Sequence, residues 1–350
     1  MNLMNVADLE TPAVLIDLDI MARNIARMQE RCNALGVAFR PHIKTHKIPE
    51  IGHMQLEAGA VGIACQKVGE AEVFAAAGFD DIQIPYNIVG ERKLNRLMQL
   101  AKIARMTVSA DDAVVIDGLA AAAKRANARV RVLVDLGTTL QRTGAPIDQI
   151  VALAQRIVDA SNLDFAGIML YPSTPPNRPT IQSAIKALND AGLTVESVSG
   201  GGIGAAFDAE AVPEVTELRV GTSIFNDWRT VNEGYATWDD CAMRVRMTVV
   251  SRADADRAIL DGGSKTISSD TFGQGYGWIV EYPDARIAKL SEEHAHCDFS
   301  ACDVRPAIGD IVHVIPVHTC VVTNLHDRIY GVRGGSVEAI WDVAARGLVY

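Results

Sequence analysis

No basic run longer than a few residues occurs in the chain, and its balance is acidic: 33 Lys and Arg against 43 Asp and Glu, for a net charge of −10. Such a surface repels nucleic-acid phosphates and acidic membranes, which favours a small-molecule partner. No stretch of about 18 uncharged apolar residues is present to span a bilayer. The opening segment, residues 1–10, also lacks the basic and apolar blocks of a signal peptide, so a cytoplasmic location is expected. The six cysteines contain no CxxC pair, which argues against a disulfide framework and leaves each to be judged by its context. Internal repeats, low-complexity tracts and flexible linkers are missing as well. What is present is an ordinary globular composition of 350 residues, 49% hydrophobic and 22% charged, enough for one large domain and a smaller one.

The apolar run at 13–18 is strand-like, and Asp19 is placed to cap a helix over 20–35. Short β-rich runs then recur at 37–43, 61–66, 82–86, 106–110, 130–136, 165–171, 196–200 and 217–221, separated by Ala- and Leu-rich amphipathic segments. This alternation predicts parallel βαβ units closed as a TIM-type (β/α)8 barrel, with a doubly wound open sheet as the alternative. After Trp238 the texture changes to runs at 245–250, 257–261, 310–315 and 329–332 with Gly-rich turns and hardly a helical period, which predicts an all-β domain. The run at 13–18 has no barrel slot and is expected to join that sheet. The expected division is a barrel over 20–236 and a β domain over 1–19 and 237–350.

Lys44 follows the β-type run 37–43 and precedes Ile48-Pro49-Glu50, which opens a helix. A lysine delivered to the C-terminal end of a barrel strand and partly withdrawn from water is an amine able to form a Schiff base; the alternative is a solvated basic turn. Ser199-Gly200-Gly201-Gly202, expected after the seventh strand and leading towards a cap before 208–211, offers bare amides for a phosphate or is simply a tight turn. Gly221, Thr222 and Ser223 at the end of the eighth strand add amides and hydroxyls beside it. Arg142, in a loop leaving the fifth strand, can hold a phenolate or carboxylate, and Tyr171 at the end of the sixth strand can face a ring. His318 and Cys320, read on one face of a strand, suit a divalent zinc-like ion with open positions, or else form a core pair. His294-Ala-His296-Cys297, in an expected loop among acidic residues, is a secondary candidate.

Arg40-Pro-His-Ile-Lys-Thr-His-Lys47, Cys65-Gln-Lys-Val-Gly-Glu-Ala71, Ser199 to Gly202, Glu217-Leu-Arg-Val-Gly-Thr222, Asp261-Gly-Gly-Ser-Lys265, Glu292-Glu-His294 and the closing Asn324 to Asp327 and Ala345 to Gly347 resemble the D-threonine aldolase and D-serine dehydratase family. These are fold-type III pyridoxal 5′-phosphate (PLP) enzymes with an alanine-racemase-type barrel, and the likeness runs from about residue 10 to the end. The resemblance implies that Lys44 carries PLP as a Schiff base, that Gln66 and Arg142 lie by its ring and that Tyr171 flanks it. It further implies that Gly200 to Gly202 and Gly221 to Ser223 hold the phosphate, that His318 and Cys320 bind a divalent metal (Mn, Zn, Co or Mg), and that the protein is a homodimer. One departure stands out: Pro172-Ser-Thr-Pro-Pro176 takes the place of a segment that usually carries a histidine.

The expected reaction is retro-aldol cleavage of a D-β-hydroxy-α-amino acid to glycine and an aldehyde, the metal lowering the pKa of the β-hydroxyl. With the usual histidine missing, the proton has to leave through metal-bound water or through His42, His46, His294 or His296. Removal of the Cα proton by Lys44 would instead lead to dehydration of D-serine or D-3-hydroxyaspartate. An amino-acid racemase, which needs a tyrosine acid and no metal, and a non-catalytic PLP carrier, which resembles the barrel alone, are the further alternatives.

Overall fold

A computed structural model describes residues 4–252, 254–273 and 275–350, so the first three residues of the expected β domain lie outside the described part. The chain divides into two compact units. One comprises Met28–Lys44, Pro49–Gly221 and Leu348–Tyr350, the other Met1–Arg27, Thr45–Ile48 and Thr222–Gly347. Compared with the expected limits, the barrel unit starts eight residues later, ends at 221 and gains the last three residues, while 45–48 belong to the β unit.

In the barrel unit eight parallel strands lie in the order Ala38–Phe39, Glu217–Arg219, Ser197–Gly201, Leu163–Met169, Val130–Asp135, Arg105–Ala110, Asp81–Ile84, Ile63–Ala64. The first and last of these meet through a parallel bridge between His42 and Ala64 and through Ala64 N donating to Pro41 O at 2.9 Å. That contact closes the sheet into a barrel and excludes the open doubly wound alternative. Strands such as Val130–Asp135 read as nearly unbroken apolar runs because both of their faces are covered, one by helices and one by the barrel interior. All eight expected strands are present. Several are shorter than their apolar runs; the first is two residues long, and Lys44 is presented by a 3-10 turn, Ile43–Thr45, and not by the strand itself.

The long helix Leu18–Leu35 forms because Leu18, Met21, Ile25, Met28 and Cys32 repeat at three- and four-residue intervals and are all buried. Its N-terminal cap is Asp17, whose Oδ1 accepts from Asp19 N at 3.1 Å and Ile20 N at 3.0 Å. The expected cap, Asp19, sits inside the first turn and pairs with Arg333 at 2.8 Å.

In the β unit Ala13–Asp17 lies between Met243–Ser251, antiparallel, and Arg328–Arg333, parallel, so the N-terminal strand does complete the C-terminal sheet. Its burial on both faces follows from that central place. The expectation of an all-β domain with hardly a helical period is corrected by two helices, Ser264–Ile267 and Thr319–Leu325.

Candidate active site

The barrel unit gathers polar side chains at the C-terminal ends of its strands, where backbone amides point out of the barrel and loops can surround a ligand. Lys44, half-buried, lies two residues beyond His42. His42 is buried and its Nε2 lies 3.1 Å from Gln66 Oε1; because an amide oxygen only accepts, Nε2 carries the proton and Nδ1 is left as a buried lone pair with no partner. Burial first, then the charges of Lys44 and Arg219, hold the His42 imidazole well below its ordinary 6.5, so the ring stays neutral. Gln66 is fixed through its own backbone: its N–H donates to Glu70 Oε2 at 2.5 Å, and the same oxygen accepts from Lys67 N at 3.2 Å.

Ser199, Gly200 and Gly201 are the last residues of the seventh barrel strand and do not follow it; the helix after Gly202 is Ile203–Phe207, which starts ahead of the expected segment 208–211 and has Gly202 as its N-cap. The glycines have a packing cause of their own. A Cβ on Gly200 would lie 2.3 Å from Ser173 Oγ and one on Gly201 3.2 Å from a Tyr171 ring carbon, while only Gly202 has a positive φ, at 109°. Ser173 Oγ accepts from Gly201 N at 3.1 Å, so the segment that replaces the usual histidine is anchored on the glycine run.

Arg219, on the eighth strand, was passed over in the sequence, although it stands inside a recognised motif. The residue is only 5% exposed, and its guanidinium donates to Ser199 Oγ at 2.9 Å, Leu170 O at 3.0 Å and Ser199 O at 3.2 Å, with no carboxylate among these acceptors. Burial pulls its pKa below the ordinary arginine value. Ser199 Oγ in turn donates to Glu217 Oε1 at 2.7 Å, and Glu217 Oε2 accepts from Arg40 Nε at 2.8 Å. The available signal was an arginine set between the apolar Leu218 and Val220 at a strand end.

Tyr171 lies two residues beyond the sixth strand, which ends at Met169, and is not its last residue. Arg142 is stacked on it, with Cζ 4.8 Å from the ring centroid. The loop carrying Arg142 is closed at its base by a bridge between Leu136 and Ala145, and Thr138 Oγ1 donates to Tyr171 O at 2.8 Å. Asn177 ties the same two loops together, accepting from Thr139 N at 3.0 Å and donating to Pro172 O at 3.0 Å. Beside Gln66, Asp135 and Arg142 opens a cavity of about 480 Å³. Burial pushes the Asp135 carboxyl up to about 6, against the bond from Thr143 Oγ1 at 2.9 Å and the nearby Arg219 charge.

The β unit holds the second cluster. Its strand ends at Pro316, so His318 and Cys320 are not paired across a strand face; His318 is the N-cap of helix Thr319–Leu325 and Cys320 lies in its first turn. The two side chains are nonetheless hydrogen-bonded, which raises the His318 pKa to about 9, with the Asp227 and Asp270 charges adding to it. Asp227, buried, accepts from Thr319 N at 3.2 Å and caps the short helix Trp228–Asn232 through Thr230 N at 2.9 Å, so one carboxylate positions the turn that carries the pair. Cys320 Sγ lies 3.2 Å from Thr45 Oγ1 and 4.0 Å from Thr222 Oγ1; Thr222 and Ser223 lie on a 3-10 turn beyond the eighth strand, which ends at Arg219. Among the described residues no group of three or more His, Cys, Asp or Glu is gathered for a metal. The secondary candidate is not a loop: Ala295–Asp298 is a strand paired with Arg257–Leu260, Cys297 is buried in its core and His296 Nε2 meets Ser291 Oγ at 3.0 Å.

Both donor sets fit the groups expected for them. Lys44, Arg142 and the buried Arg219 outnumber Asp135, which suits an anionic cofactor, and the unpartnered His42 Nδ1 and Gln83 Oε1 leave buried polar atoms for a ligand to satisfy. One imidazole and one thiol two positions apart are ligands for a borderline-soft divalent ion that leaves positions open.

Residues 16–227 match the family model "Alanine racemase, N-terminal domain", and residues 242–332 match "Putative serine dehydratase domain". D-threonine aldolase of Arthrobacter sp. is 34% identical over 362 residues, 97% of this chain and 94% of that one. The crystal structure of D-threonine aldolase from Filomicrobium marinum superposes with a TM-score of 0.92 at 34% identity, covering 100% of both chains. D-threo-3-hydroxyaspartate dehydratase, solved as a cysteine-to-alanine mutant in the metal-free form, superposes with a TM-score of 0.88 at 28% identity over 97% of this chain and 98% of that one. A histidine-to-alanine mutant of that dehydratase is also solved, and its histidine stands two positions before the cysteine.

Proposed function

We propose that this chain, which belongs to the D-threonine aldolase and D-serine dehydratase family of fold-type III PLP enzymes, is a PLP- and divalent-metal-dependent lyase that splits D-β-hydroxy-α-amino acids into glycine and an aldehyde. The observation that carries this reading is the cationic barrel end, where Arg219 is buried without a carboxylate partner among its acceptors and Arg142 is stacked on Tyr171. When bound, PLP draws electrons from the Cα bond that stands perpendicular to its ring, and a divalent ion acidifies a ligated hydroxyl.

In this reading the amine of Lys44 holds the cofactor, with Gln66, Arg142 and Tyr171 around its ring. The amides at Gly200 to Gly202 and Gly221 to Ser223 hold its phosphate, and Ser199 contributes by orienting Arg219. Arg219 supplies a fixed positive charge inside the barrel. His42 keeps Gln66 oriented, and burial together with the nearby Lys44 and Arg219 charges keeps its imidazole neutral. His318 and Cys320 hold the ion. That role draws support from the solved dehydratase, whose cysteine mutant is described as metal-free and whose histidine and cysteine share the same spacing. A homodimer, and a reducing cytoplasm in which the six free cysteines persist, belong to the same reading.

The dehydratase alternative rests on the segment 172–176, which brings no histidine to take the β-hydroxyl proton, so removal of the Cα proton by Lys44 is the competing first step. Product analysis separates the two. Incubation with D-threonine and D-3-hydroxyaspartate is expected to release glycine and an aldehyde, to stop on chelation and to resume when a divalent ion is restored. Ammonia and a keto acid without glycine would turn the assignment to a dehydratase.

A further inference from the structure

Arg219 does not stand alone inside the barrel unit. A row of hydrogen-bonded side chains runs from it through Ser199 and Glu217 to Arg40. Ser199 is fully buried, and the Arg40 and Glu217 side chains are 8% and 12% exposed. Elementary chemistry fixes the proton positions along the row. Arg219 Nε can only donate, and it reaches Ser199 Oγ at 2.9 Å. A carboxylate can only accept, and Glu217 Oε1 lies 2.7 Å from the same hydroxyl, so the Ser199 hydrogen points to Glu217. Gln83 Nε2, at 3.3 Å, takes the second lone pair of Ser199 Oγ, which leaves that atom with one hydrogen given and two accepted. The other oxygen of Glu217 accepts from Arg40 Nε at 2.8 Å, and Asp81 holds Arg40 in turn, with Nη1 2.9 Å from Oδ1 and Nη2 3.3 Å from Oδ2. Two donors thus meet two different oxygens of Glu217, a demand that a carboxylate satisfies and an amide of the same shape does not. Of the negative charges that favour the Arg219 cation, Glu217 acts most strongly, ahead of Asp135.

The serine keeps the carboxylate off the guanidinium. A direct arginine–carboxylate pair commonly takes up two N–H groups in a fork. With a hydroxyl interposed only Nε is used, Nη2 goes to Leu170 O and Ser199 O, and Nη1 makes no hydrogen bond among the described residues. We infer that Glu217 is a positioning residue for Arg219: acting through the Ser199 hydroxyl, it fixes the angle of the guanidinium and balances its charge from a distance, so that Nη1 stays available to an acceptor on the cofactor. Glu217 itself does not touch the cofactor in this role. The inference rests on the lyase reading for the presence of PLP, whereas the row is a property of the barrel unit whatever is bound there.

The test is a double-substitution cycle on Glu217→Gln and Ser199→Ala in the full chain, read as the Kd and the absorbance maximum of bound PLP. In Glu217→Gln the single amide oxygen goes to the charged Arg40, the NH2 group turns on Ser199 Oγ, and Arg219 has to compete for a lone pair. Ser199→Ala removes the bridge and leaves the Arg40–Glu217 pair in place. Each variant is expected to weaken PLP binding about tenfold and to shift its absorbance. The double variant should bind PLP no more weakly than the worse single one, since both cut the same row. Urea midpoints, by contrast, should fall with Glu217→Gln whether or not the serine is present, because that loss runs through Arg40. Wild-type affinity and absorbance in Glu217→Gln, or losses of affinity that multiply in the double variant, overturn the inference. If Glu217→Gln does not fold, Ser199→Ala decides alone: the same weakening and spectral shift support the row, and wild-type values overturn it. Should the wild-type protein bind no PLP, the lyase reading fails first, and the Arg219 Nε–H resonance of protein labelled with 15N-arginine, assigned by its absence in Arg219→Lys, still decides the row. Exchange of that proton with water about tenfold faster in both single variants supports it, and unchanged exchange overturns it.

Discussion

The polar cluster of the barrel unit and the His318 and Cys320 pair of the β unit are built by opposite means. In the barrel, residues from Gln66 to Arg219 are brought together by strand closure, and Arg219 is fixed by partners well away in the chain, Ser199 and Leu170. In the β unit the two candidate ligands are nearly adjacent in sequence, and their geometry comes from one helix start held by Asp227. The difference teaches that a closed barrel sets charge and burial over a whole cavity, while a helix N-terminus sets only the directions of two side chains. Damage to the first should therefore change cofactor binding and stability, and damage to the second should change turnover alone.

Lys44→Ala gives the sharpest contrast and the largest effect. Turnover should fall to background and borohydride should no longer fix PLP to the protein; a variant that still accepts the label would break the assignment of Lys44. His318→Ala or Cys320→Ala is expected to lose most turnover yet keep PLP stoichiometry and absorbance at wild-type values, read on the same samples after dialysis. If either variant retains activity in the presence of chelator, the metal role given to the pair is wrong.

Gly144→Ala tests the loop that carries Arg142. The glycine has φ of 110°, and a Cβ there would stand 2.3 Å from the Leu136 backbone, a clash that no side-chain rotation can relieve. A loss of about 2 to 3 kcal/mol is expected in urea unfolding, together with weaker PLP binding. Unchanged midpoints would show that the loop is not needed to complete the barrel end.

Asp135→Asn has the smallest effect and a defined pH signature. Because burial lifts the folded-state value to about 6, the folded protein binds that proton more tightly than the unfolded chain, whose aspartates titrate near 3.9. The wild-type protein thus loses stability as pH rises from about 4 to about 6 and carries the full penalty above that window. The Asn variant of the cofactor-free protein should gain on wild type across the window, by about 2 kcal/mol at pH 7.5 after the weaker Thr143 bond to a neutral amide is allowed for. A difference that does not vary between pH 4 and 7.5 would mean that Asp135 is not buried as a charge.

How much of this was legible without coordinates depended on how local each cause is. Strand and helix periods are properties of neighbouring residues, so all eight barrel strands and the helix carrying Leu18, Met21, Ile25, Met28 and Cys32 could be read directly, and the run at 13–18 could be sent to the C-terminal sheet because the barrel had no slot for it. The exact ends of strands could not, because hydrogen-bond partners end a strand and apolar runs do not; that is why Tyr171 lies beyond the strand expected to carry it and why Lys44 stands further from its strand than the run 37–43 implies. His318-Thr-Cys320 fits a strand or a helix start equally well, and only the end of the ladder at Pro316 and the Asp227 cap decided for the helix.

The sequence by itself determined the alternation that makes a barrel, the lysine motif and the His and Cys spacing, since each is written in consecutive residues. Only the tertiary structure decided that Arg219 is buried with no carboxylate among its hydrogen-bond acceptors, that Asp135 is held near neutrality, and that Lys93 and Tyr86 share a cavity with Arg142. Desolvation and charge depend on what surrounds a side chain in space, and in a closed parallel barrel those neighbours come from strands and loops scattered over most of the chain.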